Sequence, residues 1–188
     1  MNILVTGAEG ILGAAVTRKF LNEGHRVFGT FQKASPTTHK ARTSLEWIQA
    51  ELSKPDEVQK VVDYVTQKEG SIDALVHCAG GFRFAKIEET TDADYEFLLE
   101  SNLKSSFYVA RAVIAKMKKN KSGRIVFIGS KSTFSPPPGM SAYVSAKAGV
   151  AALTSALAEE TKNFNINVNC VMPSILDTPT NRKDMPKA

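Results

Sequence analysis

Short apolar runs alternate with longer helical patterns from one end of this chain to the other, and that alternation leaves few architectures open to it. The runs fall at 2–5, 26–31, 45–52, 72–78, 124–129 and 166–171. Helical spacing of apolar residues covers the stretch after Gly13 to about Asn22, then 55–68, 92–101, 103–120 and 143–163, with a bend expected near Asn102. Strands that take turns with helices in this way predict a parallel sheet covered on both faces and joined by right-handed crossovers. The expected fold class is therefore α/β, a doubly wound parallel sheet built as a single domain over residues 1–188. Gly24 closes the first helix, and Pro136-Pro137-Pro138-Gly139 makes a rigid loop.

Composition excludes several classes of function. The hydrophobic share of 43% in 188 residues supports one sizeable core. No apolar run reaches the ~18 residues of a membrane span, and a strand-like segment starts too near the N-terminus to leave room for a signal peptide. A cytoplasmic location and no membrane partner are expected. Cys78 and Cys170 each sit inside an apolar run, where a buried free thiol is expected rather than a disulfide or a metal ligand. The net charge of +5 is mild, and its densest run, from Lys116 to Lys121, reads as the solvated end of a helix. Without aromatic interleaving or a nucleic-acid motif, that balance suits small phosphate-bearing molecules, and no nucleic-acid partner is expected.

Two motifs carry chemistry. Glycine stands at 7, 10 and 13, between the first strand and the first helix. Glycines there let the backbone turn tightly and approach a pyrophosphate, whose charge a helix N-terminus stabilises. The second motif is Tyr143-Val144-Ser145-Ala146-Lys147. On a helix its Tyr and Lys share a face, with Cβ atoms about 5–6 Å apart. A cation at contact distance favours the phenolate and is expected to lower the Tyr143 pKa by about 1–3 pH units, which would make the phenol a usable acid and base.

Together these residues resemble the short-chain dehydrogenase/reductase family along the whole chain. The resemblance rests on the glycine turn, His77-Cys78-Ala79-Gly80 after the fourth strand, Asn102, Ser130 thirteen residues before Tyr143, and Lys147. It implies a Rossmann-like dinucleotide-binding oxidoreductase domain and a catalytic set of four. Tyr143 would be the proton donor or acceptor, Lys147 would lower its pKa and bind the nicotinamide ribose, Ser130 would orient a carbonyl, and Asn102 would hold a proton-relay water. It also implies that Gly7, Glu9, Gly10, Ile11, Leu12 and Gly13 cradle the pyrophosphate and that Glu51 and Leu52 flank the adenine. Cys78, Ala79 and Gly80 would pass beneath the ribose, and Pro173, Ser174 and Ile175 would face the nicotinamide. The reaction implied is hydride transfer to or from a carbonyl-like small molecule. The alternative of another class is a dinucleotide-binding sensor without turnover.

Within the family, the tail from Pro173 to Pro186 and the Gly7-x-x-Gly10-x-x-Gly13 spacing are similar to dihydropteridine reductases, which reduce quinonoid dihydropterin. Those enzymes carry an acid where Phe31 stands and lack a serine at the place of Ser130. The commonest branch of the family has Asn-Asn-Ala-Gly in place of His77-Cys78-Ala79-Gly80, and Pro-Gly in place of Pro173-Ser174. This chain stands between the two patterns.

Cofactor choice turns on the end of the second strand, where an NAD site places a carboxylate for the ribose hydroxyls. Phe31-Gln32-Lys33 offers none, and Lys33, with Lys40 or Arg42 behind it, would supply a cation to a 2′-phosphate. NADP(H) is therefore expected over NAD(H). The helices at 103–120 and 143–163 carry Ala110, Ala112, Ala115, Ala151, Ala152 and Ala156 over more than one face. A homo-oligomer, dimer or tetramer, is expected through them. The resemblance also implies a substrate-covering helix and a seventh strand beyond Ala188, so the chain is expected to stop short of that strand and to be unstable or aggregate at this length.

Overall fold

The computed structural model describes residues 1–33 and 43–184. It contains a six-stranded parallel sheet in the order β3-β2-β1-β4-β5-β6. The strands are β1 (Asn2–Thr6), β2 (Arg26–Phe31), β3 (Leu45–Gln49), β4 (Ala74–His77), β5 (Gly123–Ile128) and β6 (Ile166–Val171). The helices are α1 (Ile11–Asn22), α2 (Pro55–Glu69), α3 (Asp92–Leu98), α4 (Ser105–Asn120), α5 (Ser141–Thr161) and a short α6 (Pro179–Asp184). Successive side chains of β1 point to opposite faces, as strand geometry requires. Ile3 and Val5 join Leu21, Val27 and Ala74 in one core beneath α1. Leu4 joins Phe28, Leu75, Ile125 and Phe127 in a larger core under α2 and α4, which Val150 of α5 also enters.

Because the order runs outward in both directions from β1 and β4, the crossovers diverge at that pair. A crevice opens there, beyond the carboxyl ends of the strands, where open α/β sheets bind their ligands. All the long loops that carry the sequence motifs end at this edge.

The structure adjusts the expected boundaries in two places. The third strand stops at Gln49, so Ala50, Glu51 and Leu52 form a loop instead. Near Asn102 the chain does not bend into a new helix but runs through a π-helical turn at Leu99–Lys104. Three side chains bond to carbonyls in and beside this turn. The Asn102 amide donates to the Leu98 carbonyl at 2.9 Å, Ser105 Oγ donates to Ser101 O at 2.7 Å, and Ser106 Oγ donates to Asn102 O at 2.6 Å. Such widened turns gather at functional sites. Among the described residues, no helix is long and apolar enough to cross a membrane.

Candidate active site

The glycine turn is built by close approach. Gly7 sits at φ +62°, and a Cβ placed on it would stand 2.7 Å from both the Cα and the N of Ala79, too close for any side chain. Thr30 fixes the turn to β2, its hydroxyl accepting from Gly7 N at 3.2 Å and its carbonyl from Ala8 N at 3.0 Å. A Cβ on Gly13 would lie 2.1 Å from Gly7 O, so α1 starts hard against the turn. Gly10 precedes the first residue of α1, Ile11, and the N-terminal amides of the helix face the crevice edge.

A cleft of about 320 Å3 lies over this edge. It gathers Gly7, Glu9, Gly10, Phe31, Gln32, Glu51, Leu52, Cys78, Ala79 and Gly80, ten of the residues expected from the sequence to touch a dinucleotide. Ile11, Leu12 and Gly13 lie in the first turn of α1. Lys33 is exposed after β2 and does not line the cleft, while Lys40 and Arg42 fall outside the described residues. The chemistry of the site fits a dinucleotide: a narrow glycine turn, a helix N-terminus for phosphate, and an apolar floor of Ala50, Leu52 and Ala79 for a base.

Gln32 ties the adenosine end together. Its backbone N–H donates to Glu9 Oε1 at 3.1 Å, its side-chain amide donates to Glu51, and its carbonyl accepts from Gln49 Nε2 at 3.0 Å. Burial pushes the Glu9 carboxyl up from its ordinary value, and the Gln32 amide pulls it back only in part. Burial works to raise Glu51 as well, but hydrogen bonds from Gln32 and Ser53 together hold it below the usual carboxylate range. Phe31 packs edge-on against Trp47, with ring centroids 6.4 Å apart.

The four catalytic candidates converge at the other end of the crevice. Tyr143 and Lys147 share a face of α5, with Lys147 Nζ 6.0 Å from the centre of the Tyr143 ring. Lys147 is buried and donates to Ile128 O at 2.8 Å. Ser130 follows β5, lies near enough to the Tyr143 hydroxyl to favour its phenolate, and stands 2.7 Å from Ser132 Oγ. Gly80 passes between the sets: a Cβ there would come within 2.8 Å of Asn102 Oδ1 and 3.4 Å of Lys147 Nζ. Asn102 clamps the next peptide, donating to Gly81 O at 3.0 Å and accepting from Gly81 N at 3.3 Å. Pro173 is held beside Ser130 by Lys131 N, which donates to Pro173 O at 2.9 Å, and Ser174 and Ile175 follow it exposed.

The electrostatics of this end differ from the sequence expectation. Burial raises the Tyr143 phenol above its ordinary value, and the group that opposes this is Ser130 rather than Lys147. Burial also draws the Lys147 ammonium down to about 8. The spacing of the two residues on one helix face is as expected, but the ammonium is turned to the Ile128 carbonyl, so the phenol stays a firmly protonated donor.

The whole chain, residues 1–188, matches the short chain dehydrogenase family. This chain belongs to that family. Its members with known activity include the 3-oxoacyl-[acyl-carrier-protein] reductase of Thermotoga maritima, 32% identical over 98% of this chain and 78% of that protein. The acetoacetyl-CoA reductase of an Acinetobacter strain is 31% identical over 94% of this chain and 74% of its own length. Among solved structures, ElxO with NADP bound superposes with a TM-score of 0.93 at 26% identity, covering 98% of this chain and 77% of that one. This short chain dehydrogenase is accordingly an NAD(P)-dependent oxidoreductase. The likeness of its tail and glycine spacing to dihydropteridine reductases is not what these relatives show; their names are those of 3-oxoacyl and acetoacetyl reductases.

Sequence reasoning missed several contributors. Thr30, Phe97, Glu100, Ser101 and Ser105 also line the cleft of this dehydrogenase. Thr30 sits inside β2 and reads there as an ordinary strand residue, and the others lie in or beside the π-helical turn, which the apolar pattern does not mark. His77 was read only as part of a motif. It is buried, with Nδ1 2.7 Å from Thr6 Oγ1 and Nε2 3.2 Å from Ser105 Oγ, and so links β1, β4 and α4. Cys78 and Cys170 are free thiols, half-buried rather than buried.

Proposed function

We propose that this dehydrogenase interconverts a ketone and a secondary alcohol, with Tyr143 exchanging the proton at oxygen. The observation that supports it most is the meeting of Ser130, at the end of β5, with Tyr143 and the buried Lys147, whose Nζ lies 6.0 Å from the centre of the Tyr143 ring. A carbonyl oxygen seated between the two hydroxyls would accept from each. The bound dinucleotide supplies or removes the hydride at the carbonyl carbon. In reduction, Ser130 holds the oxygen as negative charge grows on it, and the Tyr143 hydroxyl gives its proton to that oxygen. Donors placed in advance stabilise such charge more than they stabilise the ground state. Lys147 Nζ, bonded to Ile128 O, lies 6.0 Å from the centre of the ring that then carries the phenolate. Asn102 acts by holding Gly81, which fixes the neighbouring Gly80 against Lys147.

A carbonyl substrate fits Ser130 better than quinonoid dihydropterin does, since an imine-like substrate has no oxygen for that hydroxyl to orient. The relatives' names point the same way, to carbonyls in the 3-position of acyl thioesters. The test is oxidation of NADH and NADPH, followed by the absorbance of the reduced nicotinamide, with acetoacetyl-CoA, a set of diketones and quinonoid dihydropterin. Turnover of a ketone substrate is expected. Dinucleotide binding with no turnover of any carbonyl would instead leave a sensor, and turnover of the pterin alone would return the dihydropteridine reading.

We also infer a two-fold dimer through α4 and α5. Ala110 and Ala112 turn into the protein's own core and take no part. Ala115, Ala152 and Ala156 are exposed, Ala151 is half-buried, and Phe107 is 47% exposed beside them in sequence on α4. Small and apolar residues exposed along two long helices suit close self-association. Sedimentation at micromolar concentration should give a dimer or a multiple of it, and a strict monomer would remove this assignment.

A further inference from the structure

The cleft that suits the adenosine half of a dinucleotide has an acidic lining. Glu9, Glu51 and Glu100 line it, and among the described residues no Lys or Arg does. Two of these carboxylates are gathered around one residue. Gln32 receives Glu9 from the glycine turn on its backbone N–H at 3.1 Å, and it holds Glu51, from the loop after β3, on its side-chain amide. Gln49 fixes Gln32 from behind through its carbonyl, and Ser53 donates to Glu51 Oε1 from N at 3.3 Å and from Oγ at 3.0 Å. The end of β2 therefore carries no acid of its own, yet it is flanked by two acids delivered from other elements.

The ribose of a dinucleotide lies at this point of a doubly wound sheet. A 2′-hydroxyl there is neutral and donates to a carboxylate. A 2′-phosphate brings about −1.5 to −2 charge and only acceptor oxygens, so it meets the same carboxylate as a like charge. A carboxylate offers about four lone-pair sites, which leaves Glu9 acceptor capacity after it takes the Gln32 N–H. We propose that Glu9, supported by Glu51, selects NAD(H) over NADP(H). This rests on the dinucleotide reading of the cleft given above. It reverses the preference expected from the sequence, which was drawn from the lack of an acid in Phe31-Gln32-Lys33 and from the cations Lys33, Lys40 and Arg42: the missing carboxylate on β2 is replaced by one from the preceding turn, twenty-three residues before Gln32 along the chain.

Equilibrium titration with NADH and NADPH, read by nicotinamide fluorescence and by calorimetry, tests this in the wild type, Glu9→Gln and Glu51→Gln. Gln at position 9 keeps an acceptor for the Gln32 N–H and removes only the charge. The wild type should bind NADH at least about tenfold more tightly than NADPH, and Glu9→Gln should narrow that ratio about tenfold, mainly by tightening NADPH. Glu51→Gln should narrow it in the same direction by a smaller factor. A wild type that binds NADPH as tightly as NADH, or more tightly, overturns the proposal and leaves the dinucleotide reading standing. A ratio unchanged in both variants also overturns it. Binding of neither form removes the proposal together with the reading on which it rests.

Discussion

Tyr143→Phe should lower kcat by about 10^2 to 10^4-fold while dinucleotide affinity stays within about threefold of the wild type. The substitution removes one oxygen and keeps the ring. Phe82 packs edge-on against that ring at 5.0 Å between centroids, and a phenyl group preserves this contact. Ser130 keeps Ser132 Oγ at 2.7 Å, so the turn after β5 stays anchored. What is lost is the proton donor at the place where alkoxide charge forms. Because burial raises the phenol, the wild-type hydroxyl is protonated throughout the neutral range, and the loss should appear at every neutral pH in the direction of reduction. Single-turnover reduction with saturating dinucleotide measures it without interference from product release. If the variant kept more than about a tenth of kcat, the loss would be under ~1.4 kcal/mol and Tyr143 would not be the principal acid.

The parts legible in the sequence were those set by local spacing. Alternating apolar runs gave the six strands within a few residues, because a parallel sheet covered on both faces needs continuous apolar strands whatever surrounds them. Gly7 was legible because only glycine tolerates its positive φ and the Ala79 backbone beside it. Tyr143 and Lys147 were legible as neighbours because helix geometry alone brings positions four apart together. The illegible parts depend on side chains that meet across long separations. Glu9 and Glu51 reach Gln32 from twenty-three and nineteen residues away, so the charge around the ribose position was invisible at Phe31 itself. The π-helical turn at Leu99–Lys104 leaves no mark in the apolar period. The direction of the Lys147 ammonium depends on the Ile128 carbonyl at the end of another strand. The sign of the Tyr143 shift follows from burial, which the sequence of α5 does not contain.

His77 should make the folded protein lose stability from about pH 6.5 downward. Its ring is buried, stacked edge-on to Phe127 at 5.8 Å, and bonded on both nitrogens across β1 and α4. Ser105 Oγ already donates to Ser101 O at 2.7 Å, so it accepts from His77 Nε2–H, which leaves Nδ1 to accept from the Thr6 hydroxyl. The neutral tautomer satisfies the whole chain of bonds. Protonation would place a charge in the core without water, and the nearby Lys147 ammonium would add repulsion; these two causes, burial first, draw the His77 pKa from 6.5 to about 3. Between those values the unfolded chain binds a proton that the folded chain refuses. Stability is therefore complete above about pH 6.5 and falls as the pH drops toward about 3, by ~1.4 kcal/mol per pH unit from this residue. Carboxylates held low in the fold, Asp63 among them, lose stability in acid as well, so the absolute curve is a composite. Comparing urea unfolding of the wild type and His77→Asn from pH 7 to pH 4 isolates the imidazole, since Asn does not titrate. The variant is expected to be less stable at pH 7 because of the lost packing, and its dependence on pH should be shallower by ~1.4 kcal/mol per unit below pH 6. Equal slopes in the two proteins would mean that His77 gains a proton as readily inside the fold as outside it, and the buried neutral ring would have to be abandoned.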